Sequence, residues 1–138
     1  MPINQLSVFL PNKPGQLASF FELLMENKIY IYSLTVAETE EYGLLLLLVD
    51  KPRRCFELLE EKGYLYSITE IVTVKLSNNI SELYNIAKTL GSQQINIEYL
   101  YFLALKGNEN GIVLKLDDNE KGIRILKEKG YHVLEVLD

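Results

Sequence analysis

Residues 27–36 read NKIYIYSLTV, and 66 positions later the chain returns to the same pattern as QQINIEYLYF at 93–102. At a shift of 67, LEEKGY (59–64) meets LKEKGY (126–131), so that Glu61, Lys62, Gly63 and Tyr64 recur as Glu128, Lys129, Gly130 and Tyr131. Between these blocks GLLLLLVD (43–50) aligns with GIVLKLDD (111–118) at a shift of 68. Drifts of one or two residues are what changes in loop length produce. Two copies of one supersecondary unit account for all three matches.

Each copy reads strand, helix, strand, strand, helix, strand. In the first, alternation of apolar and polar residues predicts strands near 4–10, 29–37, 43–49 and 65–70, with helices near 15–26 and 52–62. Leu17, Phe20, Phe21, Leu24 and Met25 form the apolar stripe of the first helix. Asp50 is the expected N-cap of the second, Pro52 fits its first turn and Gly63 its left-handed end. The second copy predicts strands near 71–76, 95–105, 111–117 and 132–137, and helices near 80–90 and 119–129. Leu83, Ile86, Ala87 and Leu90 supply the stripe of its first helix. The hairpin turns fall at TEEYG (39–43) and KGNENG (106–111), both rich in turn formers. Strand-helix-strand twice over, with a hairpin in the middle, is the ferredoxin-like βαββαβ arrangement: an antiparallel sheet with both helices on one face. The fold class is therefore α+β, in two units at 1–70 and 71–138. The junction LYSITEIVTVKLS (65–77) has no Gly, Pro or linker, which predicts exchanged terminal strands or one long strand serving both sheets.

In LPNKPGQLASFF (10–21), Pro-Gly stands between a strand and an apolar helical run. Gly15 can take backbone angles closed to other residues and leaves the main chain open to close approach. The helix behind it begins with unpaired N–H groups and a partial positive charge, which suit an anion. A plain turn explains the same residues. The equivalent SNNISEL (77–83) has neither residue: Ile80 stands for Pro14 and Ser81 for Gly15, with Ser77 or Asn79 available as a cap.

Composition bounds the function. The chain has 138 residues, 48% of them hydrophobic, which suits a folded domain. A formal charge of -5 argues against nucleic acid. No basic amphipathic segment suggests a membrane surface, and the longest apolar run, Leu44 to Val49, is too short to span a bilayer. MPINQLSV lacks the features of a secretory signal, and the single cysteine cannot pair internally, so a cytoplasmic setting is expected. His132 and Cys55 are the only residues of their kinds and offer no metal cluster. Cys55 reads as a small core residue, and the Glu pairs at 40–41 and 60–61 as solvated charge. No Walker A lysine motif or GxGxxG is present, and no cofactor or catalysis is expected.

The order of elements, with NKPGQL between the first strand and first helix, resembles the ACT domain family of amino-acid-binding regulatory modules. The doubled chain is similar to free-standing tandem ACT proteins, including those linked to acetolactate synthase. That resemblance covers nearly all of the chain and implies an effector held at the interface of two ACT units. Asn12, Lys13, Pro14, Gly15, Gln16 and Leu17 would form its loop side, with the carboxylate on the N–H groups of Gly15, Gln16 and Leu17. Tyr99, Leu100 and Tyr101 would face its side chain. A second site would use Asn78 and Asn79 with Tyr32, Ser33 and Leu34; its loop lacks Pro and Gly, so one effector per chain is one expectation. The implied partners are a free amino acid, an amino-acid biosynthetic enzyme and a second copy of the chain in a homodimer. The alternative is a structural or interaction protein that regulates such an enzyme without binding a small molecule.

Overall fold

One strand of twelve residues, Leu65–Leu76, runs without interruption through the point where the two sequence copies meet. The protein is described by a computed structural model covering residues 3–38, 42–77 and 79–137. Its elements are β1 (Ile3–Pro11), α1 (Gln16–Glu26), β2 (Ile31–Glu38), β3 (Tyr42–Val49), α2 (Pro52–Glu61) and β4 (Leu65–Leu76). They continue as α3 (Ser81–Ser92), β5 (Ile97–Leu105), β6 (Glu109–Leu116), α4 (Asn119–Glu128) and β7 (His132–Leu134). Contacts divide the chain into unit one, Asn4–Thr69, and unit two, which runs from Glu70 onward and takes in Ile3. The boundary falls inside β4. The long-strand alternative at the junction is the one the chain adopts.

In unit one the strand order is β2-β3-β1-β4. Leu6 pairs with Leu47 and Val8 with Leu45, while Leu34 and Val36 of β2 stand opposite the same two residues of β3. Paired residues share a face, and here that face carries the helices. Leu6, Val8, Leu10, Leu45 and Leu47 close over Phe20 and Leu24 of α1 and over Cys55, Leu58 and Leu59 of α2. Each such fully buried side chain is worth about 1.5–3 kcal/mol of transfer energy. Unit two repeats the plan with β5, β6, β4 and β7. Val72 pairs with Leu114 and Val74 with Ile112, and these pack with Ile86, Leu90, Ile125 and Leu126. Both β2 and β5 carry a register shift near their start, between Ile31 and Ser33 and between Ile97 and Tyr99.

The four helices end alike. The N–H two residues past each cap bonds back to the carbonyl five residues earlier: Ile29 to Leu24, Tyr64 to Leu59, Ile95 to Leu90 and Tyr131 to Leu126, all at 2.9–3.0 Å. This is the Schellman motif, closed by a left-handed residue and an apolar contact. Gly63 and Gly130 fill the left-handed position after α2 and α4, as expected of Gly63. Lys28 and Gln94 fill it after α1 and α3, without a glycine to announce them.

Several expectations need correction. The β3/β6 equivalence is 67, not 68: a shift of 68 would set inward Leu47 on Lys115, whereas the pairings set it on Leu114. Asp50 does not cap α2. Its carboxylate accepts the Tyr30 N–H at 2.9 Å, as Asp117 accepts that of Asn96 at 3.0 Å, while Lys51 holds the N-cap position without a side-chain bond. Met25 is 70% exposed, and Ala87 is exposed too, so each apolar stripe is narrower than drawn. The last strand stops at Leu134, because only His132, Val133 and Leu134 find partners on β4. Residues 39–41 of the first hairpin, including Glu40 and Glu41, lie outside the described residues.

Candidate functional site

The residues that the sequence singles out before α1 form one tight turn. Gly15 sits at φ 86°, ψ -15°, and the Gln16 N–H donates to the Lys13 carbonyl at 3.3 Å. With Pro14 in the second position and a left-handed glycine in the third, Lys13–Gln16 is a type II turn. The first helical bond runs from the Ser19 N–H to the Gly15 carbonyl at 3.0 Å, so the N–H groups of Leu17 and Ala18 are first-turn donors. Of the three donors assigned to a carboxylate, that of Gln16 is already used inside the turn.

This turn overhangs a cleft of about 100 Å³. Leu10, Leu17, Val36 and Leu45 give it an apolar floor, and Asn12, Lys13 and Gln16 a polar rim. Gly43, opposite Leu10 on β3, keeps the floor open because it has no side chain to fill it. A cleft of this size can take a small molecule's head group. Lys13 supplies a positive charge on that rim.

Unit two has a matching cleft of about 280 Å³ at the start of α3, lined by Leu76, Ser77, Asn79, Leu83, Phe102 and Asn110 among others. Leu76, Asn79, Leu83 and Phe102 stand 66 residues after Leu10, Lys13, Leu17 and Val36. The turn bonds repeat as well. Asn79 N–H to Ser77 carbonyl (2.7 Å) and Glu82 N–H to Asn79 carbonyl (3.0 Å) match Lys13 to Pro11 (2.9 Å) and Gln16 to Lys13. The second turn is of another type. Ile80, at φ -59° and ψ -28°, has type I angles, and Ser81 is not left-handed. Types I and II differ by a flip of the central peptide, so Gly15 and Ser81 present their N–H groups in opposite senses. Neither Ser77 nor Asn79 holds the N-cap position of α3, which falls to Ile80 without a side-chain bond; Asn79, one residue earlier, ties the turn, its Oδ1 accepting the Ser81 N–H at 3.0 Å and the Ser81 hydroxyl at 2.9 Å. Asn78 lies outside the described residues.

The strand residues assigned to an effector divide between faces. Leu100 pairs with Leu114 and so lies on the helix-bearing face of unit two, where it is 44% exposed. Tyr99 and Tyr101 lie on the other face, paired with Lys115 and Val113, with their rings stacked 6.5 Å apart. Burial, with Tyr99 beside it, raises the Tyr101 phenol far above its ordinary range. In unit one Leu34 likewise shares the helix-bearing face with Val36, Ser33 lies opposite, and Tyr32 falls at the register shift. Three consecutive strand residues cannot all meet one ligand, because their side chains alternate. Leu10, Pro11, Val36, Gly43 and Leu45 were absent from the sequence-derived set; the strand register, once known, brings them to the loop.

Among the described residues no group of His, Cys, Asp and Glu is arranged to hold a metal ion, and no helix is long and apolar enough to cross a membrane. Cys55 is buried in α2, and burial pushes its thiol up to about 11, far from the reactive range.

Paired ferredoxin-like units, each with a loop and cleft at the start of its first helix, define a tandem α+β module. The chain belongs to the ACT domain pair family, whose sequence model matches residues 1–136. It is similar to the crystal structure of protein BT0572 from Bacteroides thetaiotaomicron, with 30% identity over 97% of this chain and 92% of that one and a TM-score of 0.90. The fold is also that of the ligand-free regulatory subunit of aspartate kinase from Thermus thermophilus. There the identity is 16%, the coverage 94% of each chain and the TM-score 0.65. No curated protein sequence matches the chain.

Proposed function

We propose that this protein is a non-catalytic regulator that binds a free amino acid at the loop of unit one. The observation that carries the reading is the type II Pro14-Gly15 turn over an apolar cleft, with Lys13 on its rim. The effector's carboxylate is set against Lys13 and the first-turn N–H groups. Its ammonium group is set against Asn12 or a nearby carbonyl, and a small apolar side chain enters toward Val36 and Leu45. The second strand of an ACT unit, in this chain or another copy, covers the remainder; Leu100 has the facing suited to that role, and Tyr99 and Tyr101 do not.

The partner is an enzyme of amino-acid biosynthesis, of the kind represented by aspartate kinase or acetolactate synthase, and the working form is a cytoplasmic homodimer. A thermal-shift screen against the twenty amino acids tests the reading. A ligand at 100 times its Kd adds about 2.7 kcal/mol of stability. No shift with any of them leaves the second reading, an interaction protein without a small-molecule ligand. That reading draws on the exposed Leu34 and Val36 of β2 and Leu100 and Phe102 of β5, apolar residues on strands at the sheet edges.

A further inference from the structure

We propose that the exposed face of α3 seats a second copy of this chain, whose α1 packs against it. These are the first helices of the two units and match at a shift of 66, so Phe21, Glu22, Met25 and Glu26 correspond to Ala87, Lys88, Gly91 and Ser92. Phe21 is half-buried and the other seven are exposed. The matched positions differ in bulk and in charge together. Where α1 presents Phe21 and Met25, the latter 70% exposed, α3 presents Ala87 and Gly91. Where α1 presents two carboxylates, α3 presents the Lys88 ammonium. One unit carries a ridge flanked by negative charge, and the other a low surface beside a cation.

Nothing within the chain accounts for either face. Gly91 weakens α3 relative to alanine, yet its φ is not left-handed and a Cβ there would meet nothing within 4 Å. The left-handed position after α3, where glycine is at home, lies three residues on and is held by Gln94. A glycine on an open helix surface lets another helix come close, and Ala87 one turn earlier extends the low strip. On α1, Glu22 and Glu26 are like charges four residues apart, which disfavours the helix. Neither has an ion-pair partner among the described residues, and Lys62, which lines the same surface groove, bonds to neither. Lys88 stands over the Tyr84 ring at 5.7 Å and likewise has no carboxylate. An α1 laid on the α3 of another copy sets Met25 over Gly91 and Ala87 and brings Glu22 and Glu26 to Lys88. Both halves of the contact belong to one chain, so a two-fold pair makes it twice. The inference rests on the homodimer of the reading above for the copy number alone.

Sedimentation equilibrium on the full chain, from low to high micromolar, is the test. The wild type should dimerise, and more weakly at high salt. Glu22→Lys/Glu26→Lys and Lys88→Glu should each raise the dimer Kd at least tenfold, about 1.4 kcal/mol. Mixed in equal amounts, these two variants should restore the wild-type Kd as a heterodimer, because basic α1 then meets acidic α3 and acidic α1 meets basic α3. Gly91→Met gives α3 the ridge of α1 with a good helix former. It should also raise the Kd at least tenfold, with circular dichroism showing the helix content kept. A dimer whose Kd moves less than tenfold in all three variants overturns the surface and leaves the homodimer standing, as does a mixture that associates no better than either charge variant alone. A wild type that stays monomeric at the highest concentration overturns both.

Discussion

The loops Asn12–Leu17 and Asn79–Leu83 occupy the same place in two copies of one fold, and they share everything that the fold requires. Both are tied by the same turn bond, from Gln16 to Lys13 and from Glu82 to Asn79, and both lie beside equivalent apolar residues. They differ where the fold makes no demand: a left-handed glycine against an αR isoleucine and its serine, a lysine against an asparagine, a glutamine against a glutamate. Strand pairing and helix burial set the frame, and the residues ahead of the helix remain free to be specialised.

If the frames are equivalent, matched core truncations should cost alike. Leu47→Ala and Leu114→Ala remove fully buried side chains from the same position of β3 and β6. Each should lose about 2–5 kcal/mol in urea denaturation, and a difference beyond that range between the two would break the equivalence.

The loops should then separate under valine substitution. Gly15→Val forces a β-branched residue to φ 86°, a region that costs L-residues about 1–2 kcal/mol. It should also weaken effector binding at least tenfold, about 1.4 kcal/mol, by calorimetry. Ser81→Val should leave affinity nearly unchanged. Equal losses in the two variants would return both loops to one class.

A smaller contrast lies at the second helices. Asp118 caps α4 by accepting the Lys121 N–H at 3.1 Å, whereas Lys51 gives α2 no such bond. Asp118→Ala should cost about 1 kcal/mol. Lys51→Ala loses no cap and should cost less than half as much in the same thermal melts.

The last contrast has no effect at neutral pH. Cys55 of α2 corresponds to Gly122 of α4, so only unit one carries a buried thiol there. Burial raises its pKa from 9.0 to about 11. Folded and unfolded chains are both protonated below pH 9; above it the unfolded chain releases its proton first, so stability falls as pH rises from about 9 toward 11. Cys55→Ala should remove that component from the alkaline denaturation profile.

The repeat alone made the βαββαβ order legible, because apolar spacing survives in both copies even where identity does not. Gly15 and Gly63 were readable in the same way, since a left-handed backbone leaves a compositional mark. Lys28 and Gln94 left none: their conformation is imposed by the Schellman bonds of Ile29 and Ile95, which form only when those isoleucines are drawn into the core. Alternation alone puts Tyr99 and Tyr101 on the face opposite Leu100, but which of the two faces carries the helices is set by the pairing with β6 beyond the register shift near Glu98, and spacing could not reveal that. The Glu82 carboxylate accepts from Ser77, which depends on one side-chain rotamer beside one serine. A glutamate three residues after Asn79 reads as an ordinary capping pattern until its partner is seen to be Ser77.

The uninterrupted β4 has a consequence for anyone who would take the protein apart. Arithmetic halves the chain near residue 70, but that cut falls in mid-strand, five residues after Leu65 begins it and before Val72–Leu76 have met β6. A fragment made there would end in a severed strand on one side and begin with one on the other. The duplication is complete as a pattern, yet it left no seam at which either half can be lifted out whole.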